Sequence, residues 1–342
     1  MSGWGVGGLF DGLLDPLSRT FMQHAFVAIV LVGVICGVTG AFVTLRGLAF
    51  MGDALAHAIF PGVVIAFVLG ANFLVGALIA AVIVSLLIGA IGQSGRLTND
   101  TAIGVLFAGC FALGVALISR QQTYTRDLSS FLFGTILGVS RSDLALTAAV
   151  GATVLLVMGL FRRELTMAAF DRVFAQASGR SLFAYDQLFL LLLSLSIVIS
   201  IQTVGNILVL AMLVTPAATA RLLTDRLGVM VALSALIGGV SGVVGLYVSY
   251  YQGIASGASV VLTATALFAV AYLFAPRTGV VTTAVARRLH HPFPERDRFP
   301  PAHDDGIDPR ALPGAVAAPG AIGDDDPTAA DSAAPRRRAT PA

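Results

Sequence analysis

The sequence predicts an all-α polytopic membrane protein of about nine transmembrane helices, some of them broken or re-entrant. Three observations carry this. Apolar residues make up 56% of the chain and charged residues 12%. The apolar stretches recur at lengths near the ~20 residues that span a bilayer as a helix. Proline and glycine then interrupt several of them, as at Pro61-Gly62, which at membrane depth demands protein or water neighbours for the freed backbone groups. The chain divides into an N-terminal surface segment (1–20), a transmembrane domain (21–275) and a tail (276–342).

The N-terminal residues show no charged segment ahead of a cleavable apolar core, so no signal peptide is expected, and Trp4 and Phe10 suit a membrane surface. The first span is 21–45, closed by Arg46; His24 at its start reads as an interfacial residue. A second helical segment, 53–69, is broken by Pro61-Gly62. The third is 73–91, followed by a polar loop with Arg96, and the fourth is 101–119. Residues 129–140 are too short and glycine-rich to cross and read as re-entrant. The fifth span, 144–161, leads into a loop dense in charge from Arg162 to Arg180. The sixth is 188–203. After Gly205-Asn206 a seventh apolar run, 207–214, ends at Thr215-Pro216-Ala217, where Pro216 is expected to start a short helix over 217–227. Segments 230–250 and 260–274 complete the set. Beyond Pro276 the composition turns to Pro, Asp, Ala and Arg, and a disordered cytoplasmic tail is expected. Its charge runs and its His290, His291 and His303 read as solvated low-complexity sequence.

Every basic residue is an arginine. Of the membrane-proximal arginines, placing Arg46, Arg96, Arg162, Arg163, Arg172, Arg180, Arg221, Arg226, Arg277, Arg287 and Arg288 inside leaves only Arg19, Arg120, Arg126 and Arg141 outside. That distribution requires an odd number of crossings, nine if the run after Asn206 counts as one, with the N-terminus outside. Eight spans with both ends inside is the alternative, and it moves the Arg162–Arg180 loop unless 129–140 crosses. Cys36 and Cys110 both lie in apolar stretches and read as small core residues rather than a disulfide.

Charge enters the membrane at Asp53 and His57. Four residues apart on a helix, they share one face one turn apart. Ionisable groups at such depth are costly and usually functional. One carboxylate and one imidazole make half a coordination sphere for a divalent transition metal such as Zn²⁺ or Mn²⁺. Two ligands bind weakly, which suits a transit site, and the same pair from a second copy would complete four. The imidazole must be neutral to bind, so transport should weaken as pH falls. The same spacing also fits a helix-stabilising hydrogen bond or a proton relay. Gly52, Pro61 and Gly62 would permit close helix approach and the backbone break.

Enzymatic readings lack their motifs: there is no His-Glu-x-x-His, no Gly-x-Ser-x-Gly and, without any lysine, no phosphate-binding loop. ATP-driven transport would therefore need a separate ATPase docking on cytoplasmic loops. Two segments qualify: 170–180, with Asp171 and Gly179, and 215–227, with Thr215, Pro216, Ala217, Arg221 and Asp225.

The stretch from Leu45 through Gly52, Asp53 and His57 to Pro61-Gly62, then 131–140, then Ala211 through Thr215-Pro216 to Arg221, then Ser241-Gly242 and Ser256-Gly257-Ala258, resembles the permease subunit of bacterial zinc and manganese ABC importers. The likeness runs collinearly over about 21–274. It implies that Asp53 and His57 pass the metal and that 215–226 is the coupling helix. It also implies an ABC ATPase dimer, an extracytoplasmic metal-binding protein, a second permease copy and surrounding lipid as partners. No nucleic acid and no permanently bound cofactor are expected, only transported Zn²⁺ or Mn²⁺. The segment order is also similar to the cobalamin and siderophore permeases, whose extra first helix is lacking here. Where the family usually has a second basic residue after Arg46, this chain has Gly47, and the tail lies outside the family pattern. Competing readings are a permease for a metal chelate, without direct ligands, and an ATP-independent ion- or proton-coupled transporter.

Overall fold

The computed structural model describes residues 15–93, 99–119, 136–179, 181–275, 279 and 282. Residues 1–14, Arg96, Arg120, Arg126, 129–135, Arg180, and the tail with His290, His291 and His303 lie outside the described residues. Among the described residues the chain is helical, with no strand. In order come α1 (Thr20–Leu45), α2 (Ala49–Ala58), α3 (Phe60–Val68), α4 (Phe73–Gln93), α5 (Asn99–Ile118), a 3₁₀ turn (Ile136–Gly138), α6 (Arg141–Leu160), α7 (Arg162–Phe170), α8 (Arg172–Ala177), α9 (Leu182–Val204), α10 (Asn206–Leu223), α11 (Leu227–Gln252) and α12 (Ser256–Phe274). Taking α2 and α3 as one, nine segments are long and apolar enough to cross a membrane, which agrees with the nine-span reading rather than the eight-span one.

These helices are apolar on every side, so no amphipathic stripe tells them which face to bury. Small residues decide instead, because lipid offers no hydrophobic drive between helices and close backbone contact must supply the attraction. α1 and α9 are the most enclosed spans, while α4, α5, α6, α11 and α12 turn most of their residues outward. On α1, a Cβ at Gly33 would stand 2.8 Å from the Gly238 carbonyl carbon of α11, and one at Gly37 would stand 2.7 Å from the Ala235 Cα. A Cβ at Gly40 would overlap the Leu213 carbonyl of α10. Hydrogen bonds between hydroxyls and backbone add to this contact: Ser234 Oγ donates to the Gly37 carbonyl (2.8 Å), Ser85 and Ser194 pair at 2.6 Å, and Thr147 and Thr203 at 2.9 Å.

Several helices, among them α2, α6, α11 and α12, begin three or four residues before the sequence reading places them, and three further differences bear on the site. Pro216 does not start a helix; it lies inside α10, which runs unbroken from Asn206 to Leu223. The ring withholds the N–H that the Met212 carbonyl would accept, yet Pro216, Ala217 and Ala220 are buried and the Leu213 carbonyl rests on Gly40, so neighbouring protein holds the helix through the proline. The expected short helix over 217–227 is the end of this span, followed by a turn at 224–226. The break in the second span falls at Ile59, one turn's start before the proline: Pro61 occupies the first turn of α3, and Gly62 N–H reaches the Ile59 carbonyl at 3.0 Å. Finally, α9 begins at Leu182 rather than 188, capped by Ser181, and so carries Asp186 and Gln187 within its first turns.

If backbone proximity between α1 and α11 is what holds the bundle, Gly33→Ala should lower the stability of the detergent-purified protein by about 1–3 kcal/mol, as overpacking does. Gly239→Ala, whose added Cβ meets nothing within 4 Å, should be neutral or gain up to about 1 kcal/mol from helix propensity; thermal unfolding of the two variants reads the difference.

Candidate metal-transit site

Asp53 and His57 lie on α2, as the i,i+4 spacing requires, with Asp53 Oδ1 3.4 Å from His57 Nε2. Their side chains are 35% and 25% exposed, so the pair is half-buried and open on one side. On the other side the imidazole meets the edges of Phe107 and Phe111 of α5, each with its ring centroid 5.6 Å away. Two of the packing residues named from sequence seat this helix. A Cβ at Gly52 would stand 2.6 Å from a Leu213 methyl of α10, and Gly62 of α3 packs against Gly76 and Ala80 of α4 too closely for any side chain.

A third polar group joins the pair from across the sequence. Asn206, the first residue of α10 and only 2% exposed, brings Nδ2 to 3.5 Å from His57 Nε2. Gly205 places it: with φ 87° and ψ 162° it turns the chain between α9 and α10 in a region of backbone space essentially reserved for glycine. Among the described residues no group of three or more His, Cys, Asp or Glu forms a metal site. The carboxylate and imidazole are thus half a coordination sphere, with an amide beside them.

Below this pair a second polar cluster anchors the α1–α2 turn. Arg46 donates from Nη1 to Asp186 Oδ1 at 2.7 Å, and Arg172 of α8 donates from Nη2 to Asp186 Oδ2 at 2.6 Å. The Arg46 guanidinium also lies 4.3 Å from the centre of the Phe189 ring, a cation–π contact. Burial lowers the Arg46 pKa from its ordinary value, and the Asp186 carboxylate opposes that shift. A cavity of about 700 Å³ opens beside these residues, lined by Arg46, Asp186, Arg172, Gln187 and Gly89.

Residues 18–275 match the family model described as the ABC 3 transport family. The chain belongs to that family. As a member of the ABC 3 transport family it is a multi-pass permease of the metal-type ABC importers, resident in the cytoplasmic membrane. It is 50% identical over 273 residues to the manganese transport system membrane protein MntC of Halalkalibacterium halodurans, an alignment covering 80% of this chain and 92% of that one. It is also similar to PsaBC from Streptococcus pneumoniae, solved in complex with Fab, at 37% identity and a TM-score of 0.71, over 83% of this chain and 100% of that chain. An inward-facing transporter described as of metal-chelate type shares the fold, at 15% identity and a TM-score of 0.60 over 73% of this chain and 85% of that chain.

Within this ABC 3 permease the residues named for ATPase contact separate into two places. Pro216 and Ala217 are buried in α10 and Thr215 is half-buried; Arg221 and Asp225, 3.8 Å apart, are exposed at the end of the helix. Asp171 and Gly179 instead frame α8. Asp171 caps it, its Oδ1 accepting from Phe174 N–H at 2.8 Å, and Gly179 follows its end with φ +72°. Sequence reasoning missed Asn206 because an uncharged amide at a span boundary looks like a loop residue. The only signal available was the Gly205-Asn206 pair interrupting an apolar run.

Gly205→Ala should strain the α9–α10 turn by about 1–3 kcal/mol. It should lower thermal stability and displace Asn206 from His57, whereas Gly253→Asn, at a left-handed position at the far end of α11, should be tolerated; paired unfolding curves check this.

Proposed function

We propose that this permease carries Mn²⁺ inward as the membrane-spanning half of an ATP-driven importer, and that Asp53 and His57 touch the ion in transit. The observation that carries the reading is the carboxylate–imidazole pair, two facing ligand atoms 3.4 Å apart within an otherwise apolar span. Nitrogen and oxygen donors of this kind suit several divalent metals. Of the two that the pair leaves open, the relative named as a manganese transporter favours manganese, and zinc has no such support.

The remaining parts of the importer follow from what the chain lacks. With no phosphate-binding loop, hydrolysis belongs to a separate ATPase. Its seat is α7–α8 rather than 215–226. Phe170, Val173 and Phe174 are 62%, 78% and 57% exposed on these two short helices, which lie outside the nine spans. Exposed apolar side chains on a polar connection support a protein contact there, and the arginine count favours a cytoplasmic side for this connection. An extracytoplasmic binding protein would deliver the ion to the opposite face. A second copy of the permease would supply the other half of the pathway, since the half-open pair leaves coordination positions unfilled. Closure of the ATPase pair on ATP then biases the helices between two packings.

Uptake of radioactive manganese and zinc by metal-depleted cells tests this directly. Asp53→Asn and His57→Ala should each cut manganese uptake about tenfold or more at unchanged membrane abundance. Wild-type uptake by both variants would mean that the pair is structural and the pathway lies elsewhere.

A further inference from the structure

Resting on that assignment of Asp53 and His57, we propose that Asn206 is a third ligand to the transported ion, supplying its amide oxygen. The residue is 2% exposed, yet its Oδ1 has no hydrogen-bond partner. A buried acceptor left unpaired is destabilising by about 1–3 kcal/mol, so an unpartnered amide oxygen beside an imidazole and a carboxylate calls for an occupant.

The other two groups converge on the imidazole. Asp53 Oδ1 and Asn206 Nδ2 both approach the same atom, His57 Nε2, at 3.4 and 3.5 Å, longer than a good hydrogen bond. A divalent cation among the three would take up the space that these long separations leave. The ring lone pair and the carboxylate both turn to the cation, and half a rotation of the terminal amide, a soft two-fold torsion, brings Oδ1 to where Nδ2 stands.

The distances already suit this arrangement. Ligand atoms about 2.1 Å from a metal stand about 3.0 Å apart at right angles and about 3.4 Å apart at the tetrahedral angle. The separations of 3.4 and 3.5 Å from His57 Nε2 each match a pair of ligands on one ion. Gly205 fixes the amide at that range, and the edges of Phe107 and Phe111 cover the ring.

The chemistry of the third ligand bears on selectivity. A carbonyl oxygen is a hard donor that suits Mn²⁺ better than the softer sites that favour zinc. Being neutral, it adds a ligand without adding charge, so the ion is held long enough to be sorted and still released. Asn206 is a cargo-contacting residue set by the α9–α10 turn, 149 positions from His57 in sequence.

Titration of Mn²⁺ into the purified permease–ATPase complex without nucleotide, followed by the electron paramagnetic resonance of free Mn²⁺, tests the assignment. Asn206→Leu keeps the volume and removes the oxygen, and should raise the Mn²⁺ dissociation constant about 10- to 100-fold, with a smaller rise for Zn²⁺ measured by competition. Asn206→Asp restores an oxygen and should bind Mn²⁺ at least as tightly as the wild type. Should Asn206→Leu fail to accumulate, Asn206→Ala carries the same expectation. Wild-type affinity in Asn206→Leu, with binding lost in His57→Ala, overturns the ligand role and leaves the Asp53–His57 reading standing. Asn206→Asp as weak as Asn206→Leu also overturns it, since the amide would then act only through its N–H, as a positioning residue for the ring. If His57→Ala and Asp53→Asn also bind like the wild type, the underlying assignment falls with it.

Discussion

The close approach of α1 to α10 and α11 is the constraint on which the rest of the permease depends. Gly33, Gly37 and Gly40 bring the backbone of α1 against Gly238, Ala235 and Leu213, with no room for a side chain at any of the three. In lipid such contacts replace the hydrophobic drive that organises a soluble core. They also determine what α10 can do. Held against Gly40, α10 continues through Pro216 as one helix, and its fixed position sets where its first residue, Asn206, meets α2. Leu213, whose carbonyl lies on Gly40, also presents the methyl that seats Gly52 one residue before Asp53. One patch of packing therefore supports both the fold and the candidate ligands.

Polar groups are few, and two clusters concentrate them. The Asp53, His57 and Asn206 cluster is incompletely paired, which under the proposed function suits a site that binds and releases its ion. In the Arg46, Asp186 and Arg172 cluster, by contrast, both carboxylate oxygens of Asp186 are engaged, at 2.7 and 2.6 Å. Its position gives it a mechanical meaning under the proposed function. Arg172 belongs to α8, beside the exposed Val173 and Phe174, and Arg46 is separated from α2 only by Gly47 and Leu48. A displacement of α7–α8 by an ATPase would therefore reach α2 through one shared carboxylate.

The spans were legible in the sequence because length and apolarity alone define them, and Asp53 and His57 stood out as candidates because charge inside an apolar run is costly. Other features depend on contacts that the sequence does not display. Pro216 looked like a helix start since proline favours the first turn, and only burial against Gly40 explains why α10 passes through it. Asp186 reads as a loop residue in sequence because the arginines that hold its carboxylate inside the helix, Arg46 and Arg172, lie far away in sequence or across a turn. Asn206 carries no charge to mark it, and its partner is on another helix. The sequence offered both 170–180 and 215–227 for ATPase contact, and the family resemblance favoured 215–226; the exposed Phe170, Val173 and Phe174 of α7–α8 are the observation that the proposed function adds.

The central claim is that the ion meets His57. Pulsed electron paramagnetic resonance of Mn²⁺ bound to the assembled transporter would test it most directly, because a coordinating imidazole leaves a nitrogen coupling on the manganese spectrum. The account predicts that coupling in the wild type and its loss in His57→Gln. Bound Mn²⁺ with oxygen ligands alone in the wild type, or an unchanged nitrogen coupling in His57→Gln, would contradict it.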